Sequence, residues 1–158
     1  MNASAQAPRS SALRKGRTSI GGQVYHVTAR CMPGTSPLID FASGSAASQA
    51  FTLAASRSNV VLLAWVLMPD HAHWLVEAGA NANLSKAVAA LKRVSASAVN
   101  RANGNGRGVS LWQNGFHDRA IRSDEDLLAV ARYVVANPLR AKLVDRIGDY
   151  PFWNSVWL

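Results

Sequence analysis

Residues 60–68, VVLLAWVLM, make an apolar run without a single polar side chain. A helix needs about 20 such residues to cross a bilayer, so the run is too short for that. It predicts a strand buried on both faces. Pro69-Asp70 is a turn signal, and HAHWLVE at 71–77 follows as the return strand of a hairpin.

The rest of the chain is read around this hairpin. After Gly21-Gly22, residues 23–30 read as a strand and 31–43 as a loop with two prolines. Residues 46–58 read as a short helix. An amphipathic helix is predicted over 84–103, with Leu84, Val88, Leu91, Val94 and Ala98 on one stripe and Lys86, Arg93 and Arg101 on another face. A glycine-rich loop leads to a further strand near 116–121. Ser123 reads as an N-cap with acids in the following turn, starting a helix that runs to about Ala136, where Asn137-Pro138 stops it. Hairpins mixed with helices fit an α+β fold, an antiparallel sheet with helices packed on it. Residues 1–19 are expected to form a flexible basic arm. Residues 20–158 are expected to form a single domain, with an aromatic tail through Trp153 and Trp157 packed on it.

The chain has 158 residues, 49% of them apolar, which excludes a disordered polypeptide. Lys and Arg outnumber Asp and Glu by 17 to 9, a balance that favours polyanionic partners, chiefly nucleic acid. Cys31 is the only cysteine, so neither an internal disulfide nor a cysteine zinc cluster can form. The first 39 residues lack Asp and Glu, as transit peptides do. A basic arm is the preferred reading, with a cytoplasmic location expected.

His71 and His73 are two apart in the return strand, so both point to one face, their Cα atoms roughly 6.6 Å apart at about 3.3 Å per residue. Two imidazoles so placed can converge on one divalent ion, although an isolated pair of this kind more often only lines a sheet surface. Tyr133 falls in the last full turn of the final helix. Asn137, four residues on, shares its face. Leu127, Val130, Ala131 and Val134 offer a separate core face. On periodicity alone Tyr133 reads as a boundary tyrosine with a wet hydroxyl.

The combination says more. The segment Met68-Pro69-Asp70-His71-Ala72-His73-Trp74 resembles the His-hydrophobic-His signature of HUH nucleases. With the block Arg132-Tyr133-Val134-Val135-Ala136-Asn137-Pro138 downstream, it is similar to the REP-associated tyrosine transposases, within the single-tyrosine HUH transposases. The blocks YHVTAR at 25–30 and WQNGFHD at 112–118 match as well, so the likeness runs in order from about Tyr25 to Tyr150. Two departures stand out: the segment between Cys31 and Ser48 is rich in Gly, Ala and Ser and poor in charge, and alanine stands between the histidines.

The resemblance implies a ferredoxin-like or RRM-like core with the histidine pair on a central strand. It implies Mg²⁺ or Mn²⁺ on His71 and His73, with Asn137 as third ligand, a mixed nitrogen and oxygen set. It implies Tyr133 as nucleophile, forming a 5′-phosphotyrosine with single-stranded or hairpin DNA from palindromic repeats. Phosphate contacts are expected from Lys86, Arg93, Arg101, Arg140 and Lys142, and from Arg14, Lys15 and Arg17 in the arm. His117 is a further candidate for the site, weighed against a structural histidine. His26 reads as structural. Asp118 and Glu77 are candidates to orient an imidazole. The competing expectations are a hairpin-binding protein that keeps the fold without cleavage, a different phosphoesterase, and a structural domain with an incidental histidine pair. A monomer with all parts in one chain is expected over a homodimer.

Overall fold

The computed structural model describes residues 19–106 and 108–158. Strand β1 (Val24–Arg30) leads to helix α1 (Phe41–Ser56). The hairpin β2 (Val60–Leu67) and β3 (His71–Ala78) is followed by α2 (Leu84–Ala102), β4 (His117–Ala120), α3 (Leu127–Val135), α4 (Asn137–Arg140), a single 3-10 turn (Ile147–Asp149) and β5 (Trp153–Ser155). The strands form one antiparallel sheet in the order β4-β1-β3-β2-β5. The first four strands have the ferredoxin-like order, and β5 extends it at the β2 edge. The fold is α+β, as the element order predicts. No described helix is long and apolar enough to cross a membrane.

The sheet is central because its two middle strands are apolar on both faces. On one face, Val27, Trp74 and Val76 pack against Phe51 of α1 and Val88 and Leu91 of α2. Trp74 meets Phe51 edge-on at 5.2 Å between ring centroids and Trp112 at 5.9 Å. On the other face, Val24, Leu63, Ala64 and Leu75 pack against Ala131 and Val135 of α3, while Val66 and Met68 pack against Val134.

Several local readings change. Helix α1 begins at Phe41, not near 46, because Asp40 accepts a hydrogen bond from the Ser43 amide and so caps it. Its first turns are made of small residues because they pack closely on the C-terminal segment: a Cβ on Gly44 would run into the ring of Phe152. The cap of α3 is Asp126, whose carboxylate accepts from the amides of Leu128 and Ala129, rather than Ser123. Before it, Glu125 turns back to the Arg122 amide. On α2 the buried stripe continues through Ser95 and Val99 instead of Val94 and Ala98. Ser95 is tolerated there because its hydroxyl donates to Leu91 O and accepts from Trp112 Nε1. The aromatic tail supplies β5 as well as the buried Phe152. Ser19, taken into the arm by the sequence reading, is buried and accepts from the Leu84 amide that starts α2.

Candidate active site

The antiparallel register gathers histidines on the α3 face of the sheet. Thr28 of β1 lies between His73 of β3 and His117 of β4, and Arg30 lies opposite His71. Directly opposed residues share a face, and so do residues two apart on one strand. His26, Thr28 and Arg30 therefore stand on the same face as His71, His73, His117 and Arg119. All four histidines of the chain are on it.

Hydrogen bonds fix the two central rings. Nδ1 of His71 is 2.6 Å from Oδ1 of Asp70, the turn residue just before it. Nδ1 of His73 lies 3.0 Å from Nε2 of His26 and 3.1 Å from Oγ1 of Thr28. The His71 and His73 rings stand edge to face, 5.0 Å apart. With both Nδ1 atoms engaged, Nε2 is the atom each ring would offer to a cation. Burial, then the neighbouring His71 and His26 and the charges of Arg140 and Arg30, hold His73 down to a pKa of about 3. It is therefore neutral near pH 7, the state in which imidazole can be a ligand. Burial, with Arg119 and Arg140, also lowers the pKa of His26.

Helix α3 brings the tyrosine to this end of the sheet. Val134, next to Tyr133, packs on Val66 and Met68. Val66 pairs with His73, and the Met68 amide donates to His71 O. Tyr133 itself faces solvent and is 60% exposed. Arg140 of α4 stacks its guanidinium on the Tyr133 ring, 3.9 Å from the centroid, and donates to Tyr133 O at 2.7 Å. The same guanidinium is close enough to bias both His26 and His73 electrostatically. Arg140 thus stands on the tyrosine turn with its charge toward the histidine side of the sheet. Asn137 Nδ2 donates to Val134 O at 2.7 Å, which turns the amide so that Oδ1 is its remaining polar atom.

Two imidazoles oriented through Nδ1, each with Nε2 to offer, suit a divalent ion of borderline preference. Among the described residues no group of three or more His, Cys, Asp or Glu is arranged to hold a metal. Any further ligands would be an amide, water or substrate oxygen.

Other expected site residues are more scattered. His117 is exposed on β4, two strands from His73. Lys142 is exposed just after α4, in the left-handed region with φ 56°. Lys86, Arg93 and Arg101 are exposed on α2, which packs on the opposite face of the sheet from α3. Arg93 and Arg101 line a groove of about 570 Å³ with Asn100 and Asn105. Arg14, Lys15 and Arg17 lie outside the described residues. Asp118 and Glu77 do not serve as the imidazole partners: Asp118 pairs with Val27 and so faces away, and Glu77 is at the far end of β3. The groups within hydrogen-bond distance of the two Nδ1 atoms are Asp70, Thr28 and His26. The alternation of His26, Thr28 and Arg30 within YHVTAR was the signal for one shared face, but which strand they would meet depended on a pairing 47 residues away.

Comparison with known proteins gives a consistent picture. The family model described as "Transposase IS200 like" matches residues 25–137. No curated protein matches by sequence. One solved structure, of a REP-associated tyrosine transposase bound to a REP hairpin, superposes with a TM-score of 0.67 at 22% identity, covering 87% of this chain and 79% of that one. Another, of a candidate transposase from Deinococcus radiodurans, gives 0.56 at 22% identity, covering 75% of this chain and 93% of that one. At such identities the structural likeness speaks for the fold.

Proposed function

We propose that this chain, which belongs to the IS200-like transposase family, nicks and rejoins single-stranded or hairpin DNA through a covalent bond to Tyr133. The observation that carries the reading is the meeting of two elements. The oriented pair His71 and His73 and the helix of Tyr133 occupy one end of one sheet face, with Arg140 stacked on the Tyr133 ring. The solved REP-hairpin complex, similar in fold, supports hairpins from palindromic repeats as the DNA.

His71 and His73 would hold Mg²⁺ or Mn²⁺ through Nε2, with Asn137 Oδ1 as a third ligand. Bound there, the ion would supply Lewis-acid polarisation of the scissile phosphate. The chain's own groups do the rest. Asp70 keeps the His71 imidazole oriented. Tyr133 Oη, exposed to a strand in solvent, attacks phosphorus as the phenol gives up its proton. The Oη–P bond forms, the P–O3′ bond breaks, and the 3′-oxygen takes up a proton. Arg140, stacked on the phenol ring, would offset the negative charge that develops on the phosphate. The ester keeps the energy of the broken bond, so another 3′-OH can reverse the reaction and rejoin strands without ATP. Arg140 and Lys142 would hold phosphates of the same strand. Lys86, Arg93 and Arg101, on the other side of the sheet, would hold a separate stretch of the DNA, and Arg14, Lys15 and Arg17 would add further contacts to it.

The test is a denaturing gel of labelled hairpin DNA incubated with the protein and Mn²⁺ or Mg²⁺. A covalent protein–DNA band is expected, absent with EDTA, Tyr133→Phe or His71→Ala. Hairpin binding without any cut would favour a binding protein that keeps the fold. An adduct that persists in Tyr133→Phe would transfer the role to another tyrosine.

A further inference from the structure

We propose that His26 and Thr28 are positioning residues that hold the Nδ1 side of His73 and thereby present its Nε2 to the divalent ion. This rests on the metal site proposed above, and it assigns work to two side chains that touch neither the ion nor the DNA in that reading.

The argument starts from the chemistry of one ring nitrogen. An sp² imidazole nitrogen carries either one N–H or one lone pair in the ring plane. Nδ1 of His73 has two neighbours at hydrogen-bond distance, His26 Nε2 at 3.0 Å and Thr28 Oγ1 at 3.1 Å. If Nδ1 were bare, both neighbours would have to donate into one lone pair. The ring proton would then sit on Nε2 and close it to a cation. If Nδ1 carries the proton, one N–H is shared between two acceptors, the lone pair of His26 and the hydroxyl oxygen of Thr28. Only this arrangement leaves a lone pair on Nε2. The tautomer of a ligand histidine is set by what its other nitrogen bonds.

The backbone makes the arrangement rigid. Thr28 is directly opposite His73 in the β1–β3 ladder, and His26 is the diagonal neighbour on the same face. His26 stands 5.1 Å from His73 between ring centroids, tilted by 39°. His71 is served differently, by Asp70 in its own turn. The neutral pair His26 and Thr28 therefore orients the inner imidazole, and a carboxylate orients the outer one.

Two measurements on the full chain test this. The first is ¹⁵N-edited NMR of the histidine rings in metal-free protein, where His73 is expected to carry its proton on Nδ1. The second is Mn²⁺ titration of His26→Leu and Thr28→Val beside the conservative His26→Gln and Thr28→Ser, with thermal unfolding in EDTA recorded for each. Loss of an outer partner costs about 10- to 100-fold in metal affinity. The expected result is weakening of that order in the Leu and Val variants, recovery in the Gln and Ser variants, and similar unfolding temperatures for all four. A His73 proton on Nε2 would overturn the proposal. So would Leu and Val variants that bind Mn²⁺ like the wild type while His73→Ala does not, and the metal site itself would stand. If the wild type and His73→Ala bind Mn²⁺ equally, or neither binds it, the metal reading fails and takes this inference with it.

Discussion

The two faces of the β-sheet use one strand for opposite ends. Along β3, Ala72, Trp74, Val76 and Ala78 point to α1 and α2 and are buried, while His71, His73 and Glu77 point the other way and are partly open. The first face is closed by two long helices, with aromatic rings interlocked around Trp74. The second is closed only in part, by the nine-residue α3 resting on Ala131, Val134 and Val135. The difference teaches that period-2 alternation lets one strand anchor a core and display chemistry at once. The dry side makes the wet side precise, because residues on both share one backbone.

Substitutions can break that division. Trp74→Ala is expected to cost about 3–5 kcal/mol in urea unfolding, as large cavities in cores do. A loss under 1 kcal/mol would mean that the α1–α2 face is not the main source of stability. Gly44→Ala comes next, at about 1–3 kcal/mol, because the new methyl meets the Phe152 ring and either α1 or that ring must shift. Lys142→Gly should stabilise by about 1 kcal/mol by relieving the left-handed backbone at φ 56°. A loss instead would show that the lysine side chain secures α4. Smallest of all, Tyr133→Phe should leave stability within about 0.5 kcal/mol while removing the covalent adduct, which separates chemistry from folding.

The faces should also differ in pH response. His73, neutral when folded with a pKa near 3 against an ordinary 6.5, adds stability that is complete above about pH 6.5 and is lost as the pH falls toward 3. Cys31, buried on the α1–α2 side, has its thiol pushed up to about 12 by burial and by Asp70. Its contribution is complete below about pH 9 and is lost as the pH rises toward 12. Urea titrations of His73→Asn and Cys31→Ala in EDTA should flatten the acid and alkaline limbs respectively. Alkylation of the wild-type thiol at pH 8 should be slow until the protein unfolds.

Much of this arrangement was legible in the residues. The apolar run at 60–68, the turn at Pro69-Asp70 and the histidine spacing defined the hairpin and the direction of both imidazoles. Such features are local, and alternation alone decides them. The apolar stripe of α2 was legible down to Leu91 and then drifted, because a buried serine looks polar until its partner Trp112 is in place. β5 was not legible, since three residues beside β2 carry no period of their own. Nor were the partners of the site histidines: Asp70 was read as a turn former and His26 as structural. The short distances from His26 and Thr28 to His73 exist only once β1 and β3 have chosen a register.

The sheet ends in two short edges. β4 has four residues, three of them His117, Asp118 and Arg119, and β5 has only three. A foreign strand needs a long, flat and apolar row of unpaired amides to template on, and neither edge provides one. Of the long apolar strands, β3 is paired on both sides, and β2 is paired along one side and over residues 64–66 on the other, where β5 covers it. The order of strands thus puts most of the sticky sequence in the middle of the sheet, with charged or truncated strands at the rim.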